Sequence, residues 1–444
     1  MRFGEMFMKY MQKGISMTNN DYKELLYKIG PLRRDLISDG YDEALNEIRA
    51  LFGQVKILSF NSGETCWTWK VPQKWTLKKA FIMSETKEIL FDMTSSALFV
   101  TSYSCSVSKW VDKSELVKHI HSHNDAKKIP YSYAFYKNDW GFNLSKEQIG
   151  TLQSDKYFVY IDAEHEKGEL KIGSWILPGK SKKKIVLAAH LDHPFQINDG
   201  LSGVITGLKL FEMLKKQELE HTYQLLILPE TIGSLAWLSH NEMEIDNIVG
   251  GSFLEMTGTS IYPSVQKSYF GNTPFDCEME YLFQLYDKHT KIYDYRQLPG
   301  NDERQFNAPG VRIPMLSFCR CEEPGSEHFP FQNYHTDADN LNSINFENIM
   351  SSAELLYKVF SMYEQNILYV NRFKGELFLS GLRYPKEIDS LDLVHVDCLR
   401  VIDMIDGTNS PIQIAQKLNL NLKEIVEFFK VLEFNGLVER CGVK

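Results

Sequence analysis

Apolar and polar positions fall into three textures along this chain. Asp21 to Leu51 reads as helical, with a break around Gly30-Pro31. From about Leu58 short β-rich runs alternate with turns, among them Trp67-Thr68-Trp69, Ala80-Phe81-Ile82, Ala97 to Val100 and Tyr131 to Tyr136. Phe158 to Ala163 and Leu170 to Leu177, separated by Lys167-Gly168, predict a hairpin. From Lys184 onward compact apolar runs (Lys184 to Ala188, Tyr223 to Leu228, Ile248 to Leu254, Ile313 to Phe318) take turns with helical spacing over Leu201 to Lys215 and Phe346 to Tyr369. That alternation predicts an α/β fold, a mostly parallel mixed sheet with helices on both faces.

Beyond Tyr384-Pro385 the pattern changes again. Ser410-Pro411 places a cap residue before a proline at the first helical position. Asn421 and Glu424 open a further helix whose apolar stripe is Ile425, Phe428, Phe429 and Leu432, and Asn435-Gly436 stops it before the strand-like Leu437 to Arg440. Helix, helix, helix, strand predicts a C-terminal winged helix-turn-helix. The expected domains are therefore residues 1–57 with 175–375 as the main α/β body, 58–174 as an inserted β-rich module, and 376–444 as the winged helix.

The chain has 444 residues, 43% hydrophobic and 13% aromatic, ample for a folded protein of two or three domains. Its net charge of −9 argues against generic nucleic-acid binding. The seven cysteines are scattered with no CxxC pair, which favours a reducing, cytoplasmic setting over a disulfide scaffold. In Cys319-Arg320-Cys321 the two thiols are expected to share one face of a strand. No apolar run approaches membrane-spanning length. Met1 to Ser16 lacks the apolar core of a signal peptide and is expected to be a disordered leader or to precede the true start.

The chemistry gathers where strands end. His190-Leu191-Asp192-His193 closes the Lys184 run, and Asn198-Asp199-Gly200 opens the next helix. Glu230 follows the Leu228 strand, Glu255 follows Leu254, and His335 precedes the last long helix of the body. In a parallel sheet these positions converge on one edge. Imidazoles and carboxylates together suit a hydrolytic zinc site, with one carboxylate free to move protons. Singly, each of these residues has an ordinary structural reading: a hydrogen-bonded histidine, a turn at Asn198-Asp199-Gly200, a helix cap. Their joint placement favours metal. His119-Ile120-His121-Ser122-His123 is set aside, because three imidazoles at a helix end point different ways.

The order of HxD, NDGxSG, a glutamate at a strand end, Leu254-Glu255-Met256 and Tyr334-His335-Thr336 resembles the co-catalytic zinc aminopeptidases, which include bacterial leucyl aminopeptidases and glutaminyl cyclases. Closer still is an aminopeptidase-like subgroup with an inserted β-rich domain and a C-terminal winged helix. Its hallmarks here are Trp69-Lys70-Val71-Pro72-Gln73-Lys74-Trp75, Ile129-Pro130-Tyr131, Trp140-Gly141-Phe142, Pro229 to Ser234 and Asp302-Glu303-Arg304-Gln305. The resemblance implies one or two zinc ions. His190 and Glu255 would hold the first, Asp199 would bridge, and His335 would hold the second. Glu230 would be the general base, and Asp192 would orient His190. Asp302 and Arg304 are candidates to face the substrate, where the guanidinium could hold a carboxylate or carbonyl, or else form a surface ion-pair cluster, and Tyr334 is either a transition-state donor or packing. One departure stands out. The family has a second glutamate after the base, a ligand to the His335 metal, where this chain has Thr231, so either one ion binds or His193 completes a rearranged site.

The expected activity is attack of water on an amide of a peptide or amino-acid amide. An amidohydrolase acting on a modified sugar or small metabolite, and a catalytically weak binding or regulatory protein, are the alternatives. Glu376 to Lys444 carries eight basic against eleven acidic residues. A net −3 surface repels phosphate, so the winged helix is expected to contact protein, either a partner or a second copy, and not nucleic acid.

Overall fold

The computed structural model describes residues 17–388 and 390–443; the leader expected over Met1–Ser16 lies outside them. Two N-terminal helices, α1 (Asn19–Ile29) and α2 (Asp39–Leu51), present Tyr22, Leu25, Leu26, Tyr41, Leu45 and Ile48 to the core at helical spacing. The strands that carry the argument are β1 (Lys56–Asn61), β2 (Lys74–Ser84), β3 (Ile89–Asp92), β4 (Val107–Asp112), β5 (Lys156–Glu166), β6 (Glu169–Leu177), β7 (Lys184–His190), β8 (Thr222–Leu228), β9 (Ile248–Leu254), β10 (Ser264–Gln266), β11 (Lys291–Tyr293) and β12 (Met315–Cys319).

Eight of them form one sheet in the order β1-β6-β8-β7-β9-β12-β10-β11. The central four, β8-β7-β9-β12, are parallel, with His190 opposite Leu228 and Ala188 opposite Phe253. Every residue of β8, β9 and β12 between Tyr223 and Leu228, Gly250 and Leu254, or Met315 and Cys319 is buried, as a strand covered on both faces requires. Helices α3 (Leu201–Leu214), α4 (Ile232–His240), α5 (Pro274–Tyr286), α6 (Glu303–Phe306) and α7 (Phe346–Tyr363) complete the body. The mixed α/β fold is the one the alternation predicts.

Two expectations change. A second, antiparallel sheet in the order β3-β2-β5-β4 spans residues 74–166. The expected module of 58–174 therefore takes in most of β1 and β6, which belong to the main sheet. The expected hairpin is not one: β5 pairs with β2 and β4, while β6 pairs with β1 and β8. The Lys167-Gly168 turn passes the chain from one sheet to the other, Tyr157, Val159 and Ile161 of β5 being buried in the second sheet while Trp175 of β6 is buried against Phe52 and Phe211.

After α7 the chain forms β13 (Ile367–Asn371), then α8 (His395–Ile402), α9 (Pro411–Leu418), α10 (Leu422–Phe434) and β14 (Val438–Val443). β14 pairs antiparallel with β13, so this C-terminal unit begins near residue 367, ahead of the expected 376. Ile425, Phe428, Phe429 and Leu432 face inward, in one apolar cluster with the body. Ser410 donates to Glu278 of α5 at 2.9 Å, and Asn366 accepts from the Ile412 amide at 3.0 Å. Among the described residues no helix is long and apolar enough to cross a membrane.

Candidate metal centre

The parallel strands deliver their chemistry to one edge. His190 is the last residue of β7, Glu230 lies two residues past β8, and Glu255 is the first residue after β9. Asp199 stands at the start of α3, beside Gly200, whose φ of +101° favours glycine and where a Cβ would lie 3.0 Å from the His190 ring. His335 arrives from the loop before α7. Strain concentrates here: His193 (φ 73°), Thr231 (64°), Met256 (47°) and His335 (53°) all adopt left-handed backbone without being glycine. Each such residue costs roughly 1–3 kcal/mol, so the packing around it must over-determine its position.

The donor atoms crowd together. His190 Nε2 lies 3.2 Å from Asp199 Oδ1, and His335 Nε2 lies 2.9 Å from Asp199 Oδ2. His193 Nε2 is 3.5 Å from Glu230 Oε2, and its Nδ1 is 2.9 Å from His190 Nδ1. Three groups have all donor atoms within 4.8 Å of one another: His190, Asp199 and Glu255; His193, Asp199 and His335; and His190, Asp192 and His193. The first two share Asp199. His119, His121 and His123 are in none of them.

A metal fits what hydrogen bonding leaves over. His190 Nε2, Asp199 Oδ2 and Glu255 Oε1 are buried without a hydrogen-bond partner despite their close neighbours. Unpaired buried polar atoms cost several kcal/mol, and buried carboxylates persist where they are paired or ligate a cation. Three imidazoles and two carboxylates, nitrogen and oxygen donors without thiolate, are ligands zinc accepts.

The surrounding bonds fix these donors. Asp192 Oδ1 accepts the Glu230 amide at 2.8 Å and stands 3.4 Å from His190 Nδ1, so it positions both. Asp339 accepts the amides of Asn198 and Asp199 at 2.8 and 3.0 Å. Asn301 donates to Glu255 Oε2 at 2.6 Å, which leaves Oε1 free. Burial alone would lower the His190 pKa, but the Asp192 and Asp199 carboxylates beside its ring outweigh it and raise it well above the usual value. Burial opposes the Asp199 charge, yet His193, His190 and His335 hold its pKa well below the usual range. Burial raises Glu230, opposed by His190 and reinforced by Asp192 and Asp199.

Residues expected to face the substrate divide. Arg304 Nη2 reaches within 3.6 Å of Glu230 Oε1 at the mouth of the site. Tyr334 stacks on the His335 ring with centroids 4.0 Å apart. Asp302 does not face the cleft: it is wholly buried, and its Oδ1 accepts the Thr231 amide at 2.9 Å and the Ser234 hydroxyl. It shapes the strained turn that carries Glu230. Arg34, Asp339 and Asn301 also support the site, with no sequence motif to mark them, and Tyr131 of the Ile129-Pro130-Tyr131 hallmark packs edge-on against His193 and His335. Of the first three, only Asp339, four residues after His335, had a positional hint.

Residues 23–366 match the family described as domain of unknown function, DUF4910. The chain belongs to that family. This DUF4910 segment ends where the body gives way to β13. A Clostridium acetobutylicum protein, assigned by name to polysaccharide biosynthesis with an aminopeptidase-like domain, is 30% identical over 429 residues, 94% of this chain and 95% of that one. A crystal structure of a candidate peptidase from Clostridium acetobutylicum superposes with a TM-score of 0.81 at 28% identity, covering 98% of this chain and all of the other. A zinc aminopeptidase from Bacillus subtilis gives 0.58 at 15% identity, covering 77% of this chain and 93% of its own. The DUF4910 body thus has the zinc aminopeptidase fold.

Proposed function

We propose that this DUF4910 protein is a zinc-dependent hydrolase of aminopeptidase type that cleaves an amide bond. The reading rests on the two ligand groups meeting at Asp199 with unpaired donor atoms. The relatives support it at a coarser level, since one has an aminopeptidase-like domain and another was crystallised as a candidate peptidase. His190, Asp199 and Glu255 would hold one ion. His193, Asp199 and His335 would hold a second, the imidazole of His193 standing in for the carboxylate lost at Thr231. Zinc bound there supplies a Lewis acid for the carbonyl and makes water a nucleophile near neutral pH.

Glu230 then has the remaining role. It is not in either ligand group, it keeps a quarter of its side chain exposed at the mouth, and Arg304 and His193 flank it. Its raised pKa suits a group that takes a proton from water and returns it to the leaving amine. Asp192 holds Glu230 through its amide and His190 through its ring, so base and ligand move together. The substrate class is a peptide or amide, and the C-terminal unit is a protein-contact surface in a cytoplasmic enzyme.

The test is Glu230→Gln on the zinc-loaded protein. We expect unchanged metal per chain by elemental analysis and roughly 10²–10⁴-fold slower turnover of whichever amide, aminoacyl or N-acyl, the wild type hydrolyses. Loss of metal from this variant would make Glu230 a ligand and end its assignment as base. Metal-free wild type whose melting temperature ignores added zinc would remove the metal reading itself.

A further inference from the structure

The inserted module roofs the metal centre. The Tyr131 amide donates to the His335 carbonyl at 2.7 Å, the Asp337 amide donates to the Ile129 carbonyl at 2.9 Å, and the Tyr131 ring meets the His193 ring edge-on. Beside Glu230 this roof leaves a cleft of about 270 Å³, walled by Trp69, Tyr133, Phe135 and Tyr136 from the module and by Arg304 from the body. A second cavity of about 450 Å³ shares Trp69 and is lined further on by Trp67. Trp69, Tyr133 and Tyr136 are 39%, 50% and 55% exposed. Rings left this open gain little from folding and much from a flat partner that covers them. They also brace one another, Tyr133 stacking on Phe135 at 4.6 Å and Trp69 meeting Tyr136 edge-on at 5.8 Å.

Arg304 adds a cation. Its Nε donates to the Asn301 carbonyl at 2.8 Å, and its side chain lies over Gly300, where a Cβ would come within 2.9 Å of its Cδ. The guanidinium edge is left facing the cleft, with only the 3.6 Å approach to Glu230. Its planar fork matches a carboxylate. A free α-ammonium, by contrast, finds no spare anion among the described lining residues. Glu230 is needed as base, while the nearby Asp302, Glu303 and Glu255 are buried and bonded to Ser234, Asn301 and Asn301.

Aromatic faces over an open trough, with the Tyr136 hydroxyl anchored on the Lys70 carbonyl at 2.7 Å, and a cationic fork beside them are the complement of a pyranose that carries an acid. We propose that the cleft binds an N-acylated amino sugar acid, its ring on Trp69 and Tyr136, its carboxylate on Arg304 and its amide at the metal centre. This rests on the amide-hydrolase reading and names the substrate. Water's oxygen joins the carbonyl carbon, the C–N bond breaks, and Glu230 passes the proton to nitrogen, giving an acyl carboxylate and a free amino sugar acid.

Binding to zinc-loaded Glu230→Gln, which does not turn over, is measured calorimetrically with an N-acetylated aminouronic acid, the matching neutral N-acetylamino sugar, and leucine amide. The uronic acid should bind at least tenfold tighter than the neutral sugar. Adding Trp69→Ala should weaken both sugars tenfold or more, and adding Arg304→Gln should weaken only the acid. Both positions are exposed, and an unchanged melting temperature checks folding. No sugar binding, indifference to Trp69→Ala, or tighter binding of leucine amide that depends on Trp69 overturns the proposal, the last outcome making the trough a peptide site. If the sugars bind as expected while wild type hydrolyses no amide, the cleft assignment stands and the hydrolase reading fails.

Discussion

Arg34 offers the sharpest test of how the metal loop is held. Its guanidinium has no solvent exposure and donates to six backbone carbonyls. Nε reaches Leu191 at 2.9 Å, Nη2 reaches His193 and Gln196 at 2.9 and 2.7 Å, and Nη1 reaches Ile29, Gly30 and Leu32 at 2.8, 2.9 and 3.2 Å. It therefore clasps the end of α1 to the loop that carries His190, Asp192, His193 and Asp199. Bonds to a charged group contribute roughly 1.5–3 kcal/mol each. Against them stands the several kcal/mol needed to bury a cation, and burial indeed pushes Arg34 down to about 10 despite Asp192, Asp339 and Asp35. The difference leaves about 5 kcal/mol, a large share of a typical folding free energy. Arg34→Met should lose that amount in denaturant unfolding of the metal-free protein. Arg34→Lys, with three donors at most, should lose about half and also release zinc faster on dialysis, because the His193 carbonyl is no longer held. Arg34→Met folding within about 1 kcal/mol of wild type, with its zinc retained, would refute the clasp.

His193→Ala should lower zinc from two ions per chain to one, with the remaining ion lost only in His190→Ala; full occupancy in His193→Ala contradicts the histidine-completed second site. In metal-free protein burial pushes Asp339 and Glu303 up to about 7, so between pH ~4 and ~7 the folded chain binds protons the unfolded chain releases, and stability should fall as pH rises. His193, pushed down to about 4 by burial, works in the opposite sense and is outnumbered, so a higher melting temperature at pH 8 than at pH 5 in EDTA contradicts the sign. The isolated protein should bind random duplex DNA weaker than ~10⁻⁶ M at ~150 mM salt, measured by polarisation, because residues 376–444 carry a net −3 and adding Arg372 and Lys374 of the strand that opens the unit still leaves it net negative; tight binding abolished by Lys423→Glu would reverse that view.

What was legible in the sequence is what short-range pattern controls. Three apolar runs with acid or imidazole at or just past their C-terminal ends point to a parallel sheet edge, so His190, Glu230 and Glu255 could be grouped without coordinates. Pairing partners are a long-range matter. β5 and β6 are neighbours in sequence and both β-rich, yet they part company because Trp175 and its neighbours on β6 are buried against Phe52 and Phe211, whereas Tyr157, Val159 and Ile161 are buried in the second sheet. Arg34 sits in Arg33-Arg34-Asp35, which reads as a solvated charge cluster until the loop closes over it. Asp302 and Arg304 are two residues apart at the start of the short α6, one directed inward and the other to the cleft, a choice no spacing rule makes. Cys319 and Cys321 were legible for the opposite reason: Cys319 ends β12, Cys321 lies two residues beyond it, and their sulfurs lie 3.4 Å apart, as alternation along an extended chain predicts.

The exchange at Thr231 bears on substrate choice as well as on metal retention. The zinc aminopeptidase pattern that the sequence resembles implies two divalent ions held by three carboxylates and two imidazoles. Here Thr231, strained at φ 64° and tied through its amide to Asp302, contributes no carboxylate. His193 enters from the loop after the neighbouring strand β7, within 4.8 Å of both Asp199 and His335. A neutral imidazole in place of a carboxylate makes the loaded centre one unit more positive, at the same edge where Arg304 already supplies a cation. Attraction between charges in a partly desolvated cleft is stronger than in water. An acidic substrate gains from that added charge and an ammonium-bearing one loses. On the proposed reading, the residue that would complete the second metal site and the residue that would read the substrate push specificity in the same direction, away from a free amino terminus.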